Sequence, residues 1–301
     1  MPTDLPSSYL NAKVFHFICS ATRATHFVTE ILRLRDKNSI SPPVFVWEPV
    51  PDFASAENMQ SCVEAMRMVD VVSPNHEEAA ALLGLVTGAD DEEDEKFLTD
   101  EMLMLMADKF LAYPIGRNGS GCVIIRASHR GCIVGTREKK EIIPAYWTSS
   151  KDGSRNPHVV DVTGAGNSFC GGFMAGLLKS NFDVFEAALY GSVSASFILE
   201  QFGTPILSID ERGNETWNTG DSPQVRLNNL RQRVKEKLKE KLKVKLKERI
   251  REKKQKQQNI NGIETGCVGK EVKDSGESGD CGNTKDGLDR ESVGDSVSPV
   301  D

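Results

Sequence analysis

The amino-acid sequence predicts an α/β fold, a mainly parallel, doubly wound sheet with helices on both faces. Three observations lead there. Short β-branched runs alternate with longer helical patterns through the first two-thirds of the chain, the alternation of βαβ units around a parallel sheet. With 301 residues, 39% of them hydrophobic, there is apolar material for one sizeable core plus appendages. Late in the alternation a run ending at Asp161 passes through a glycine-rich turn straight into a helical pattern, the junction on which open α/β sheets build ligand sites.

Taken in chain order, runs such as Val14-Phe15-His16-Phe17-Ile18 mark strands at 14–19, 44–48, 69–72, 122–126 and 159–161. Helical patterns lie between them at 25–36, 56–68, 75–83 and 99–110, with the acidic stretch Asp90 to Glu95 expected as a loop between the last two. Segments 132–134 and 141–143 flank a charged turn and suit a hairpin. Beyond Asp161 two further helices are expected at 167–179 and 183–200. The stretch 208–222 is polar and turn-rich, with Trp217 the aromatic that tacks it to the core.

Composition excludes several classes. The seven cysteines (Cys19, Cys62, Cys122, Cys132, Cys170, Cys267, Cys281) are odd in number and form no C-x-x-C pair, which argues against a disulfide framework and a zinc knuckle and for a reducing compartment. No apolar run approaches a membrane span and no basic-then-apolar leader opens the chain, so a soluble, cytoplasmic protein is expected. His16 in a strand and His26 in a helix read as packed or surface groups, and His76, His129 and His158 show no ligand spacing, so no metal-ligating set is expected.

Ligands of open α/β sheets sit outside the carboxyl ends of the strands. The residues there are Glu48-Pro49, Pro74-Asn75, Arg126 to Ser128, and Thr163 to Asn167. The strongest signal is Asp161-Val-Thr163-Gly164-Ala165-Gly166-Asn167-Ser-Phe-Cys-Gly-Gly172. A strand, a glycine turn and a helix in immediate succession aim backbone N–H groups at one spot with the helix dipole behind them, which makes an anion site suited to phosphate. In Val71-Val-Ser-Pro-Asn75-His-Glu-Glu78, the Asn–Glu spacing is that of a capping box, which leaves room for a ligand role as well.

The Asp161–Asn167 stretch closely resembles the second signature of the PfkB/ribokinase family of carbohydrate kinases, D-T-x-G-A-G-D. Asp161, Gly164, Ala165 and Gly166 match, Thr163 lies within the turn, and Asn75 and Glu78 match the family's P-N-x-x-E segment. The resemblance implies a ribokinase-like fold, ATP and Mg²⁺ as cofactors, an anion hole at Gly164–Gly166 for the transferring phosphoryl group, and a final residue that takes the proton from a sugar or nucleoside hydroxyl. Here that final residue is Asn167. A carboxamide has no useful basicity, and losing such a base costs on the order of 10²–10⁴ in rate. Asn75 and Glu78 would lie near the phosphates and the Mg²⁺ water shell. Arg126 and Ser128 stand where the family has a T-x-G turn, with Arg126 able to pair with a phosphate. Ser192 on the last helix and Gly203 after it resemble the adenine side. No glycine precedes Gly84, so the family's Gly-Gly-Asn sugar motif is absent; the resemblance covers roughly residues 10–208, with the N-terminal part of the domain and its lid missing. Glu48-Pro-Val-Pro51-Asp52 and residues 195–203 are similar to the fungal maintenance-of-killer branch.

The organisation expected is therefore a kinase-like domain over 1–208, a linker over 209–224, a basic helix over 225–258 and a disordered acidic tail over 259–301. From Arg226 to Gln258 fifteen Lys/Arg face four Glu, a local +11 in a chain of net −7, so the remainder carries −18. Val234, Leu238, Leu242, Leu246 and Ile250 recur every fourth residue, an apolar stripe that drifts around a helix and does not build a coiled-coil seam. Such a helix suits an anionic partner or a solvated extension.

Overall fold

The computed structural model describes residues 5–85, 97–149, 154–218 and 220–266. Six strands form one sheet in chain order: β1 Val14–Cys19, β2 Val44–Pro49, β3 Val71–Val72, β4 Cys122–Arg126, β5 Cys132–Gly135 and β6 Lys140–Ile143. β1 to β4 pair in parallel, whereas β4–β5 and the expected hairpin β5–β6 are antiparallel.

The crossovers are α1 Ala21–Lys37, α2 Met59–Met66, and α3 His76–Leu82 with α4 Asp100–Leu111. Right-handed crossovers that advance steadily in one direction lay their helices on one face. Val28 and Ile31 of α1, Met66 of α2 and Phe110 of α4 accordingly share a core with Phe45, Trp47 and Val123. The other face is covered after β6 by α5 Ala165–Lys179 and α6 Val184–Ile198, whose Phe169, Phe173, Ala187 and Val193 pack on Val46, Val71, Ile124 and Val134. Alternate residues of each central strand therefore enter different cores, which is why these strands read as unbroken apolar runs. Gly172 and Gly176 of α5 sit directly against Ala187 and Tyr190 of α6, where any side chain would run into the facing helix.

The strand expected at 159–161 does not form. Val160 and Asp161 both donate their backbone N–H to the Leu199 carbonyl, at 2.7 and 3.2 Å. The C-terminal end of α6 leaves orphan carbonyls, and this short extended run satisfies one of them instead of joining the sheet. The strand expected at 69–72 is shorter, Val71–Val72. The loop expected at Asp90 to Glu95 lies outside the described residues.

At the end of the expected domain and within the linker expected at 209–224, β7 Leu207–Ile209 and β8 Glu215–Trp217 pair antiparallel, and the Trp217 ring lies 6.3 Å from that of Phe197. The final helix, α7, spans Pro223–Gly266, so 259–266 is helical; the rest of the expected tail lies outside the described residues. Two compact units divide the chain. In the first, Met1–Leu242, Leu227 and Leu230 of α7 are buried in the core on the α5–α6 side. Its first basic residues are engaged there. Arg226 pairs with Glu200 at 2.6 Å and lies 3.9 Å from the Phe197 ring centre, Arg231 pairs with Glu186, and Arg233 donates to the Tyr146 and Ala145 carbonyls. In the second unit, from Lys243, the helix continues with Val244, Leu246 and Ile250 exposed among lysines.

Candidate functional site

The turn before α5 is built by its own residues. The Asp161 carboxylate accepts from the Thr163 N–H at 3.0 Å and from its hydroxyl at 2.9 Å, and these hydrogen bonds hold the carboxyl below its usual range. Gly164 then takes φ 79°, a left-handed backbone that suits glycine, and α5 starts at Ala165. Ala165, Gly166 and exposed Asn167 form the first turn, whose N–H groups have no intrahelical acceptor. Ser168 is tied to Ser194 of α6, hydroxyl to hydroxyl at 3.0 Å.

Against this turn lies a guanidinium. Arg126 ends β4, its side chain is only 11% exposed, and it occupies the space a Gly166 side chain would need, since a Cβ there would collide with Nη1. Nη2 sits 2.7 Å from Glu48 Oε1, 3.1 Å from the Ser73 carbonyl and 3.6 Å from Glu78 Oε2. Nε is buried without a hydrogen-bond partner among the described residues. Asn75 and Glu78 form the capping box expected of them: Glu78 N–H donates to Asn75 Oδ1 at 2.7 Å and Asn75 N–H to Glu78 Oε2 at 2.8 Å. An isolated β-bridge joins Asn75 to Arg126.

The two carboxylates differ in environment. Burial works to raise both. For Glu48 the neighbouring His16, with Nε2 3.4 Å away, and the Arg126 charge outweigh burial and hold the carboxyl below its usual range. For Glu78 burial prevails over the Asn75 N–H and a more distant Arg126, so its carboxyl is raised. Cys170, one turn into α5, points its thiol at Glu48 Oε2 across 3.6 Å, and burial pushes that thiol up to about 12.

Asn75, Glu78, Arg126 and Gly166 thus meet, together with Glu48. Other expected residues stand apart. Ser128 is exposed with φ 49° on a 3-10 turn, and no hydrogen bond or ion pair among the described residues joins it to the cluster. Gly203 has φ 82° in open space, and Ser192 is buried on α6. Gly191 packs on the Phe169 ring and Ser194 on Gly172, so the small residues of α6 serve close helix contact. From the sequence, Glu48 stands at a strand end without a role, His16 reads as a packed or surface group and Cys170 carries no role. Strand alternation carried the signal: His16 lies opposite in direction to Phe15 and Phe17, and Glu48 to Phe45 and Trp47, toward α5.

A model of the pfkB family of carbohydrate kinases matches residues 18–211. The chain belongs to the pfkB family of carbohydrate kinases. Among relatives of this pfkB protein, MAK32 of Saccharomyces cerevisiae is 32% identical over 202 residues, 64% of this chain and 50% of that protein, in keeping with the fungal likeness in the sequence. A Schizosaccharomyces pombe protein is 28% identical over 238 residues, 75% of this chain and 61% of its own length. The chain thus spans roughly half to three-fifths of these relatives. Among solved structures, adenosine kinase from Sinorhizobium meliloti is 23% identical with a TM-score of 0.47, covering 69% of this chain and 55% of that one.

Proposed function

We propose that this chain binds the phosphates of ATP at the N-terminus of α5, and that transfer of the γ-phosphoryl group to a sugar or nucleoside hydroxyl is impaired by Asn167. The observation that carries the reading is Arg126, a nearly buried guanidinium against Gly166 whose Nε has no partner among the described residues, beside the N–H groups of Gly164 and Gly166 at the open end of α5; the Ala165 N–H donates to the Val162 carbonyl. A fixed positive charge, a helix dipole and orphan amides at one spot suit phosphate, and phosphoryl transfer draws most of its catalysis from such positioning and charge. The names of further relatives, a ribokinase of Staphylococcus aureus and a nucleoside kinase of Methanocaldococcus jannaschii, support the acceptor class.

The remaining assignments follow the same reading. Glu78 Oε2 is engaged by the cap and by Arg126, so Glu78 and Asn75 would meet Mg²⁺ through its water shell, the way this ion usually accompanies nucleotide phosphates. Asp161 and Thr163 shape the loop, and Gly203 flanks the adenine side, whereas Ser192 is buried among the small residues of α6 that pack on α5. A nearby cavity of about 580 Å³, lined by Trp147, His158, Val160, Gln201, Asn218 and Arg226, is large enough for a small ligand. Among the described residues no helix is long and apolar enough to cross a membrane. A cytoplasmic location is part of the proposal.

Thermal unfolding with and without Mg-ATP tests the nucleotide site. At about 100 times the dissociation constant, ATP stabilises the fold by about 2.7 kcal/mol, several degrees for a domain of this size. No shift in a folded sample sinks the reading. Asn167→Asp then separates a site lacking only its base, which gains turnover, from a nucleotide-binding pseudokinase, which does not. A second reading, a scaffold that engages an anionic partner through Arg226–Gln258, is favoured by the exposed Val244, Leu246 and Ile250 among lysines. Because Leu230 is wholly buried, the deletion that tests it begins after Leu242, and salt-insensitive or unchanged partner binding would count against it.

A further inference from the structure

Three donor atoms of different kinds converge beneath the turn that opens α5. His16 Nε2 on β1, Glu48 Oε2 on β2 and Cys170 Sγ on α5 all lie within 4.8 Å of one another. We propose that His16, Glu48 and Cys170 form a zinc site that ties the first two strands to α5. The site adjoins the phosphate cradle, since Arg126 pairs with the other oxygen of Glu48, but it shares no ligand with the Asn75–Glu78 pair assigned to Mg²⁺.

Spacing is the first argument. Ligands at the usual Zn–N, Zn–O and Zn–S bond lengths stand about 3.3–3.6 Å apart along the edges of a tetrahedron. Nε2 is 3.4 Å from Oε2, and Sγ is 3.6 Å from it. The third edge, from Nε2 to Sγ, is no longer than 4.8 Å. His16 Nε2 is moreover buried, and among the described residues its 3.4 Å approach to Glu48 Oε2 falls short of good hydrogen-bond geometry, which leaves the atom open to an ion.

The surroundings supply what a metal site needs. Arg126 holds the other oxygen of Glu48 at 2.7 Å and so orients the carboxylate, while Ser73 Oγ stands 3.8 Å from the Cys170 sulfur. With the thiolate and both carboxylates, Glu48 and Glu78, set against Arg126 and a divalent ion, the local charges sum to zero. On binding, the thiol proton leaves to solvent as the Zn–S bond forms. Mixed nitrogen, oxygen and sulfur donors suit zinc and disfavour magnesium and calcium, and three protein ligands leave a fourth position to water.

The test uses the full chain, stripped with a chelator and titrated with Co²⁺, then with Zn²⁺ as competitor. The expected result is one Co²⁺ per chain with a thiolate-to-cobalt charge-transfer band that Zn²⁺ abolishes. Cys170→Ser should remove the band, and Ser73→Ala should weaken binding about tenfold. A Cys267→Ser, Cys281→Ser variant should keep the band, which separates the site from the remaining thiols of the tail. Should Cys170→Ser fail to fold, X-ray absorption of the Zn²⁺-loaded native chain decides: a single sulfur neighbour among nitrogen and oxygen supports the site, and none overturns it. Folded native chain that takes up no stoichiometric Co²⁺, or a band that persists in folded Cys170→Ser, also overturns it. None of these outcomes depends on nucleotide binding.

Discussion

Replacing Gly166 with alanine should destabilise the protein through one identifiable contact. The new methyl group would collide with Arg126 Nη1, the end of a flexible side chain that elsewhere would swing aside at little cost. Here it is pinned by Glu48 at 2.7 Å, the Ser73 carbonyl at 3.1 Å and Glu78 at 3.6 Å, so yielding space means loosening a nearly buried ion pair. Overpacking of this kind costs about 1–3 kcal/mol. The expected loss is therefore about 2 kcal/mol, read by denaturant unfolding of the single variant. A double-mutant cycle isolates the cause. In an Arg126→Ala background the methyl group meets empty space and the penalty should vanish, a coupling of about 2 kcal/mol. Penalties that add, with a coupling below about 0.5 kcal/mol, would refute the claim that Arg126 fills the glycine's place.

Other perturbations have equally specific outcomes. Arg226→Met leaves Glu200, among the described residues, with the Trp147 and Asn218 donors in a largely buried site, and should cost about 3–5 kcal/mol by thermal unfolding; a change below about 1 kcal/mol would show that α7 is not held there. Asn75→Ala removes the side-chain acceptor of the Glu78 N–H while leaving the Asn75 N–H bond to Glu78 Oε2 in place, and should cost about 1 kcal/mol, largely restored by Asn75→Ser, as urea titration of the pair would reveal. Gly172→Ala presses on the Tyr190 carbonyl, 2.6 Å from the new carbon, as well as on Ser194; because backbone cannot rotate away, its loss should reach the upper end of about 1–3 kcal/mol and exceed that of Gly171→Ala, where the space is open.

Local chemistry determined much of this protein in advance of tertiary structure. Apolar runs specify β1 and β4 to the residue: β4 is buried over its first four residues and tolerates little else, and half-buried β1, at the sheet edge, keeps Val, Phe and Ile at most of its positions. Gly164 and the Asn75–Glu78 pair were legible for the same reason: a left-handed turn and a helix cap depend on residues adjacent in the chain. The run at 159–161 has strand composition, yet its donors found a helix-end carbonyl, a choice made by where α6 happens to finish. The basic segment likewise read as one charged helix, whereas Leu227 and Leu230 are buried in the core and Val244, Leu246 and Ile250 are exposed. Arg126 beside Gly166, and His16, Glu48 and Cys170 around one point, come from four elements spread over more than 150 residues. No local pattern encodes such a meeting, because it arises only when parallel strands align their carboxyl ends under one helix.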